Sequence, residues 1–370
     1  MKYLFINSYA GYGSTGRIAA DTCRSLTAQG HQCLLAYGRT EVNCDDVDTL
    51  RIGSDLDNRI NALENRFLDN QGLGTKGPTR EFLKKVREYD PDVIWLHNLH
   101  GYYLHIGLLF DYLRTCGKQI IWTLHDCWAM TGHCAYFDYV RCDRWKTGCH
   151  DCPELHQYPA SMLRDGSRQN YLRKKALFTG IPNLRLIVPS QWLANRVKAG
   201  FLREYPVEVQ YNTVDKEIFR PVKSDFREKY HLEEKKILLG VASVWDRRKG
   251  LQDFVDLAEM LDERFQIVLV GLSETQLKGL PSAILGLPRT DNVQQLVEIY
   301  SAADLYLNPS VEETFGMTVL EAQYCGTPAL VYEDTACQEV AEKFGGIVVP
   351  RGSENLYRAV MERFQEESHL

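Results

Sequence analysis

Long apolar runs are what this sequence lacks most plainly. No stretch approaches the ~20 consecutive apolar residues of a membrane-spanning helix. Charge of one sign is missing too: 43 Lys and Arg stand against 49 Asp and Glu, mixed throughout, for a net charge of -6. That balance gives no reason to expect a nucleic-acid partner. The opening MKYLFINSYAGYG has too short an apolar run for a secretory signal. Eleven cysteines is an odd number, and without an export signal they do not read as a disulfide framework. These absences lead to the expectation of a cytoplasmic protein, with the inner face of the membrane left open as its place. What remains is ordinary: 44% hydrophobic and 25% charged residues in 370, enough for two domains of roughly 150–200 residues each.

Short β-type runs alternate with amphipathic helical patterns nearly from end to end, which predicts an α/β fold with parallel sheets. Residues 3–7, 33–37, 92–97, 119–125 and 185–190 read as strands in the first half. In the second half 236–243, 266–271, 282–287, 304–310, 328–332 and 346–350 do so. Helical patterns fit 14–29, 249–262, 291–302, 315–325 and 353–368. The strand pattern fades within 211–226, where Pro221 punctuates a polar segment, so doubly wound domains of 1–212 and 213–370 are expected. One long stretch, 126–160, departs from this rhythm and is rich in Cys, Trp, Tyr, Gly and His. A loop of that length is usually functional or separately stabilised.

EETFGMTVLEA, 312–322, sets Glu313 and Glu321 eight positions apart around an apolar run. A helix over 315–325 would offer the amides of Phe315, Gly316 and Met317 as free donors at its positive end, a ready anion site. The two glutamate backbones would stand roughly 12 Å apart. That suits a ligand with a diphosphate in the middle and hydroxyl-rich groups at both ends. The plainer alternative is two solvated glutamates on a surface helix. The strand-turn-helix context LNPSVEETFGMTVLEAQYCGTP instead places them at the carboxyl edge of a sheet, where open α/β folds bind ligands.

With its context, this element resembles the E-x7-E motif of retaining glycosyltransferase family 4, of the GT-B fold, and the resemblance extends over nearly the whole chain. VASVWDRRKGL (241–251) is similar to the family's donor loop, whose lysine, here Lys249, binds the diphosphate. An arginine usual six residues earlier is replaced by Ser243, which leaves Arg247 or Arg248 to assist. VQYNTVDKEIFRP (209–221) resembles the interdomain segment, and TLHD (123–126) places His125 where the family has its active-site histidine. The resemblance implies two Rossmann-like domains facing across a cleft, the last helix packing back on the first. It also implies contacts of Glu313 with donor-sugar hydroxyls, of Glu321 with the ribose, and of the 315–317 amides with phosphate.

GYGSTG (11–16) is a literal G-x-G-x-x-G, the dinucleotide fingerprint. Four residues, Asn7 to Ala10, intervene before its first glycine where the fingerprint wants a tighter turn, and AYGRT ends the second strand with no acid for a ribose, though Arg39 would suit a 2′-phosphate. In the family resembled, a glycine-rich loop here approaches donor phosphate and acceptor, which makes Gly13, Ser14 and Gly16 candidates. HNLHGYY (97–103) leaves another strand end, with His97, Asn98 and His100 either lining the acceptor side or capping the next helix. Cys134, Cys142, Cys149 and Cys152 follow C-x7-C-x6-C-x2-C. They read as a structural Zn2+ site, with His133 or His150 as substitute ligands, or equally as reduced loop cysteines or a redox pair. This cysteine-rich loop resembles a subgroup found in exopolysaccharide and colanic-acid-type gene clusters, which implies a part in acceptor recognition. SRQNYLRKKALF (167–178) carries Arg168, Arg173, Lys174 and Lys175, most simply a solvated helix face, with peripheral contact to anionic lipid as a second reading.

No protein nucleophile is evident, and no Asp-x-Asp metal clamp closes a strand. The expectation is glycosyl transfer from a nucleoside-diphosphate sugar, UDP or GDP type, to a glycan or lipid-linked glycan. Anomeric configuration is retained and no cofactor is required for catalysis. Two readings from other classes stand beside it: an NAD(P)-dependent dehydrogenase or epimerase, and a carbohydrate-binding protein without catalysis.

Overall fold

A computed structural model describes residues 1–39 and 42–366. The chain divides into two compact units, Met1–Gln210 and Tyr211–Leu370. In the first, strands β1 (Lys2–Asn7), β2 (Gln32–Tyr37), β3 (Thr49–Arg51), β4 (Val93–Leu96), β5 (Gln119–Thr123), β6 (Leu184–Val188) and β7 (Val207–Val209) form one sheet. Its order is β3-β2-β1-β4-β5-β6-β7, with every pair parallel. The connecting helices are α1 (Gly13–Ala28), α2 (Asp55–Leu68), α3 (Lys76–Tyr89), α4 (Ile106–Thr115), α5 (Ser167–Phe178) and α6 (Gln191–Ala199).

The second unit opens with the short α7 (Phe226–Lys229) and continues as β8 (Lys236–Val241), α8 (Leu251–Met260), β9 (Phe265–Val270), α9 (Glu274–Gly279) and β10 (Ile284–Leu287). Then follow α10 (Val293–Ala302), β11 (Leu305–Asn308), α11 (Met317–Tyr324), β12 (Ala329–Tyr332), α12 (Ala336–Glu342), β13 (Ile347–Val349) and α13 (Ser353–Glu366). Its sheet runs β10-β9-β8-β11-β12-β13, again all parallel. The last helix packs on α8, burying Leu356, Val360 and Phe364 in the core of this unit.

Continuous apolar runs made the central strands readable, because a parallel strand covered on both faces cannot alternate. Leu4, Phe5 and Ile6 are all fully buried, as are Ile237, Leu238 and Leu239. The three-residue edge strands β3 (TLR) and β7 (VEV) escaped notice, since each leaves a side chain in water and presents no such run. The expected helix over 315–325 begins at Met317, because Gly316 takes a left-handed conformation ahead of it. The last two residues of the expected helix over 353–368 lie outside the described residues.

Each sheet reverses strand order once, between β1 and β4 and between β8 and β11. Loops from the carboxyl ends of such adjacent strands diverge and leave a crevice for ligand.

The cysteine-rich stretch has only two single helical turns, Trp128–Met130 and Arg144–Lys146. It buries Trp128, Met130, Phe137 and Trp145, with the rings of Phe137 and Trp145 4.8 Å apart and that of Trp128 packed near Phe178 of α5. Among the described residues no three or more His, Cys, Asp or Glu side chains are grouped to hold a metal ion, so the geometry does not support the zinc expectation at Cys134, Cys142, Cys149 and Cys152. All four are free thiols. Of the proposed substitutes, His133 is buried with Nδ1 against Asp69 at 2.7 Å, and His150 is exposed beside Asp151. The reading of α5 as a solvated basic face holds for the exposed Arg168 and Lys175 and is corrected at Lys174. Lys174 is buried, donates to the Trp128 carbonyl at 2.8 Å and lies over the Trp128 ring. Burial pushes its ammonium down to about 7.

Candidate functional site

In the second unit, the loop after β8 and the loop after β11 meet. Residues Arg247–Lys249 form one helical turn, capped by the Asp246 side chain accepting from the Arg248 amide at 2.9 Å. The Val311 amide donates to the Arg248 carbonyl at 2.9 Å, tying the two loops together. Across this seam Lys249 Nζ donates to Glu313 Oε1, a pair brought together from 64 positions apart. Both side chains are about one-fifth exposed, so the pair is largely sheltered yet open to a ligand. Arg248 is held by Asp246 through Nε and Nη2, at 3.2 and 2.7 Å, while Arg247 is exposed.

Helix α11 starts beside this pair. Its first residue is Met317, preceded by Gly316 at φ +93° with no side-chain cap and no acid in the first turn. Its amino end therefore keeps the donors and positive dipole that favour an anion. Gly316 is demanded twice over: its φ disfavours a side chain, and a Cβ there would meet Cys337 Sγ at 2.6 Å. The side chain of Phe315, one step before the cap, is buried in the core of the unit, which anchors the backbone whose amide is expected to meet phosphate. Glu321, one turn further along α11, accepts from the Tyr300 hydroxyl at 3.0 Å. Tyr300 is fully buried, and burial together with the Glu321 carboxylate raises its phenol well above the ordinary range.

In the first unit, the carboxyl ends of β4 and β5 build a small recess lined by His97, Asn98, His100, His125, Asp126 and Trp128 among others. Phe5, Trp95, His97 and His125 stack in sequence, with centroids 5.3, 6.2 and 5.2 Å apart. His97 Nδ1 and His125 Nε2 are 2.9 Å apart, and His97 Nε2 is buried without a partner. The tautomer that avoids an orphan N–H puts the proton of His97 on Nδ1, donating to His125. Burial lowers both imidazoles, His125 to about 4, so this pair is neutral at ordinary pH. Beside it His100 Nε2 lies 2.7 Å from Asp126 Oδ2, and His100 Nδ1 lies 3.0 Å from the Tyr158 hydroxyl. Burial alone would raise the Asp126 carboxyl, but His100 and the Trp128 amide outweigh it and hold the group below its usual value.

The glycine loop divides by role. Gly13 opens α1 and, with Ser14, is exposed at an amino end that has neither a side-chain cap nor a first-turn acid. Gly16 is buried and its carbonyl accepts from the Gly11 amide at 3.2 Å. Gly11 has φ +70°, and a Cβ there would lie 2.1 Å from the Asn43 carbonyl oxygen. Close packing on the loop after β2 therefore accounts for the first glycine of the fingerprint, with no cofactor invoked. Asp126, Tyr158, Tyr300 and Asp246 were not singled out from sequence. Asp126, next to His125, and Asp246, two residues before Arg248, carried local signals; Tyr158 and Tyr300 acquire their partners through tertiary packing.

Comparison with known proteins identifies the family of the chain. Residues 15–218 match the family model described as Glycosyltransferase Family 4, and residues 222–369 that described as Glycosyl transferases group 1. The colanic acid biosynthesis glycosyl transferase WcaC of Escherichia coli K12 is 38% identical over 120 residues, 30% of this chain and 28% of that protein. The alpha-galactosylglucosyldiacylglycerol synthase of Streptococcus pneumoniae R6 is 27% identical over 192 residues, 48% of this chain and 50% of that one. The matched region thus spans half or less of these relatives. Among solved structures, sucrose-phosphate synthase from Thermosynechococcus elongatus superposes with a TM-score of 0.72 at 19% identity, covering 99% of this chain and 90% of that one. Anabaena Alr3699/HepE in complex with UDP and glucose gives 0.67 at 15% identity, covering 100% and 91%. At such identities the likeness is one of fold.

Proposed function

The chain belongs to glycosyltransferase family 4, and from that premise we propose that it moves a glycosyl unit from a nucleoside-diphosphate sugar to a hydroxyl of a glycan or lipid-linked glycan. The observation that carries the reading is the contact of Lys249 with Glu313 beside the uncapped start of α11. Lys249, an arginine of the same turn and the α11 amides meet the diphosphate. Glu313 accepts from hydroxyls of the donor sugar, and Glu321, held by Tyr300, accepts from the ribose. HepE, a structural neighbour, was crystallised with UDP-glucose, which favours a donor of this class.

In the transfer, the bond between the anomeric carbon and the phosphate oxygen breaks while the acceptor oxygen bonds to that carbon from the same face. The acceptor proton passes to the departing phosphate, so no protein nucleophile and no metal are called for. Preorganised positive charge at the departing diphosphate is the main contribution asked of the protein. In the first unit His125, neutral and held by His97, offers hydrogen bonds rather than a cation. His100, kept in place by Asp126, faces the acceptor.

Steady-state transfer from UDP- and GDP-sugars by Glu313→Gln and Lys249→Met tests the assignment. Each is expected to lose at least about 100-fold in kcat/KM while the melting curve stays close to that of the parent. Activity within a few-fold of the parent in both variants would remove the site from these residues.

A further inference from the structure

Helix α2 is built inside out. Leu56, Ile60, Leu63 and Phe67 recur at spacings of four, three and four, the period of one helical face, yet they are 67, 50, 56 and 43% exposed. The opposite face, turned to the protein, is polar: Asn61 and Asn65 are buried and Asn58 is half-buried. Asn61 donates to Thr75 Oγ1 at 3.1 Å and Asn65 to the Ala160 carbonyl at 3.3 Å. An amphipathic helix normally buries its apolar face, so something outside the described chain must cover this one.

A second element extends the same surface. The Met162 amide donates to the Arg66 carbonyl at 2.7 Å, which sets the 161–164 loop at the carboxyl end of the helix. Met162 and Leu163 are 60 and 75% exposed there. Basic groups border the patch. Arg59 and Arg66 share one flank of the stripe, and Arg164 follows Leu163 directly. Of the acids on α2, Asp55 pairs with Arg51 and Asp57 is engaged in the amino-terminal capping box with Ser54, leaving Glu64 on the other flank.

We propose that this face seats the protein on an anionic membrane surface. Leu56, Ile60, Leu63, Phe67, Met162 and Leu163 enter the interface, and Arg59, Arg66 and Arg164 meet lipid phosphate groups. An apolar stripe with arginines along one flank, on a helix whose opposite face is polar, is what lies in the plane of a bilayer surface. An antiparallel pairing of the stripe with a second copy would instead set the arginine flank of one helix against that of the other, which is repulsive. The proposal places the helix, and not the basic segment 167–178, at the lipid surface. It does not depend on the donor chemistry above.

Co-sedimentation of the full chain with phosphatidylcholine vesicles, with and without phosphatidylglycerol, tests it. Binding is expected on the anionic vesicles and should weaken with salt. The double variant Leu63→Glu/Phe67→Glu should reduce it by at least about tenfold, and Arg59→Ser or Arg66→Ser by about fivefold each. Because all four positions are exposed, thermal unfolding of these variants should match the parent. Failure of the parent to bind anionic vesicles, or equal binding by the double variant, overturns the proposal. So does a dimer in analytical ultracentrifugation that the double variant converts to monomer without any vesicle binding. Titration of UDP and GDP without vesicles, on the same preparations, separates a failure here from a failure of the glycosyl-transfer reading.

Discussion

Burial decides what His125 can do. Its imidazole is lowered from 6.5 to about 4, chiefly by desolvation, and His97, against which it stacks, is lowered in the same way. A base whose folded value is depressed binds fewer protons folded than unfolded, so stability falls as pH drops from 6.5 toward 4 and is full above 6.5. At pH 5 the His125 contribution amounts to about 2 kcal/mol of lost stability. The variant His125→Asn, which cannot charge, should flatten that part of the acid limb in urea unfolding at pH 7 and pH 5; an unchanged limb would show that His125 is not the group responsible. Transfer activity is expected to show no protonation of His125 between pH 5 and 8. The histidine could be located in the sequence, at the end of a readable strand beside Asp126. Its neutral state could not, because that depends on Phe5 from β1 and on Trp95 and His97 from β4 and its end packing against it.

At the scale of elements, the loop and helix from Glu313 to Tyr324 show how a short motif is made into a site. Two glutamates and a glycine were legible because spacing and the preceding strand are local properties. The helix start was misplaced by two residues, since Gly316 holds its left-handed conformation against Cys337 from the next helix. That contact is testable. Gly316→Ala should cost about 2–4 kcal/mol, part from the unfavourable φ and part from the overlap with sulfur. In a Cys337→Ala background the same substitution should cost at least about 1 kcal/mol less, because only the φ term remains. Equal costs in both backgrounds, read from denaturant midpoints, would mean that the sulfur has no part in keeping position 316 a glycine. The cysteine-rich loop teaches the converse. Its thiol spacing suggested a metal, but buried tryptophans and Lys174 supply the interior that such a loop otherwise lacks.

At the scale of the molecule, both units are parallel sheets of the same winding, and either could in principle serve a dinucleotide. The uncapped α11 start with Lys249 and Glu313 favours a nucleoside diphosphate in the second unit, whereas the fingerprint glycine Gly11 in the first is explained by packing on Asn43. UDP or GDP at about 100 times its Kd should stabilise the protein by about 2.7 kcal/mol, seen as a rise in melting temperature. NADP at the same concentration should leave it unmoved. A rise with NADP alone would return the dehydrogenase reading to first place. No helix among the described residues is long and apolar enough to cross a membrane, and the bilayer contact proposed for α2 is one made at the surface.

By itself the sequence determined the alternation of strands and helices, the two-unit plan and the identity of the charged groups, because hydrophobic period, glycine position and motif spacing act over a few residues. Tertiary structure alone decided that Lys249 meets Glu313, that Lys174 is buried and that the apolar side of α2 faces outward. Those outcomes depend on which surfaces the sheets and loops leave available. No stretch of chain specifies that until the whole is packed.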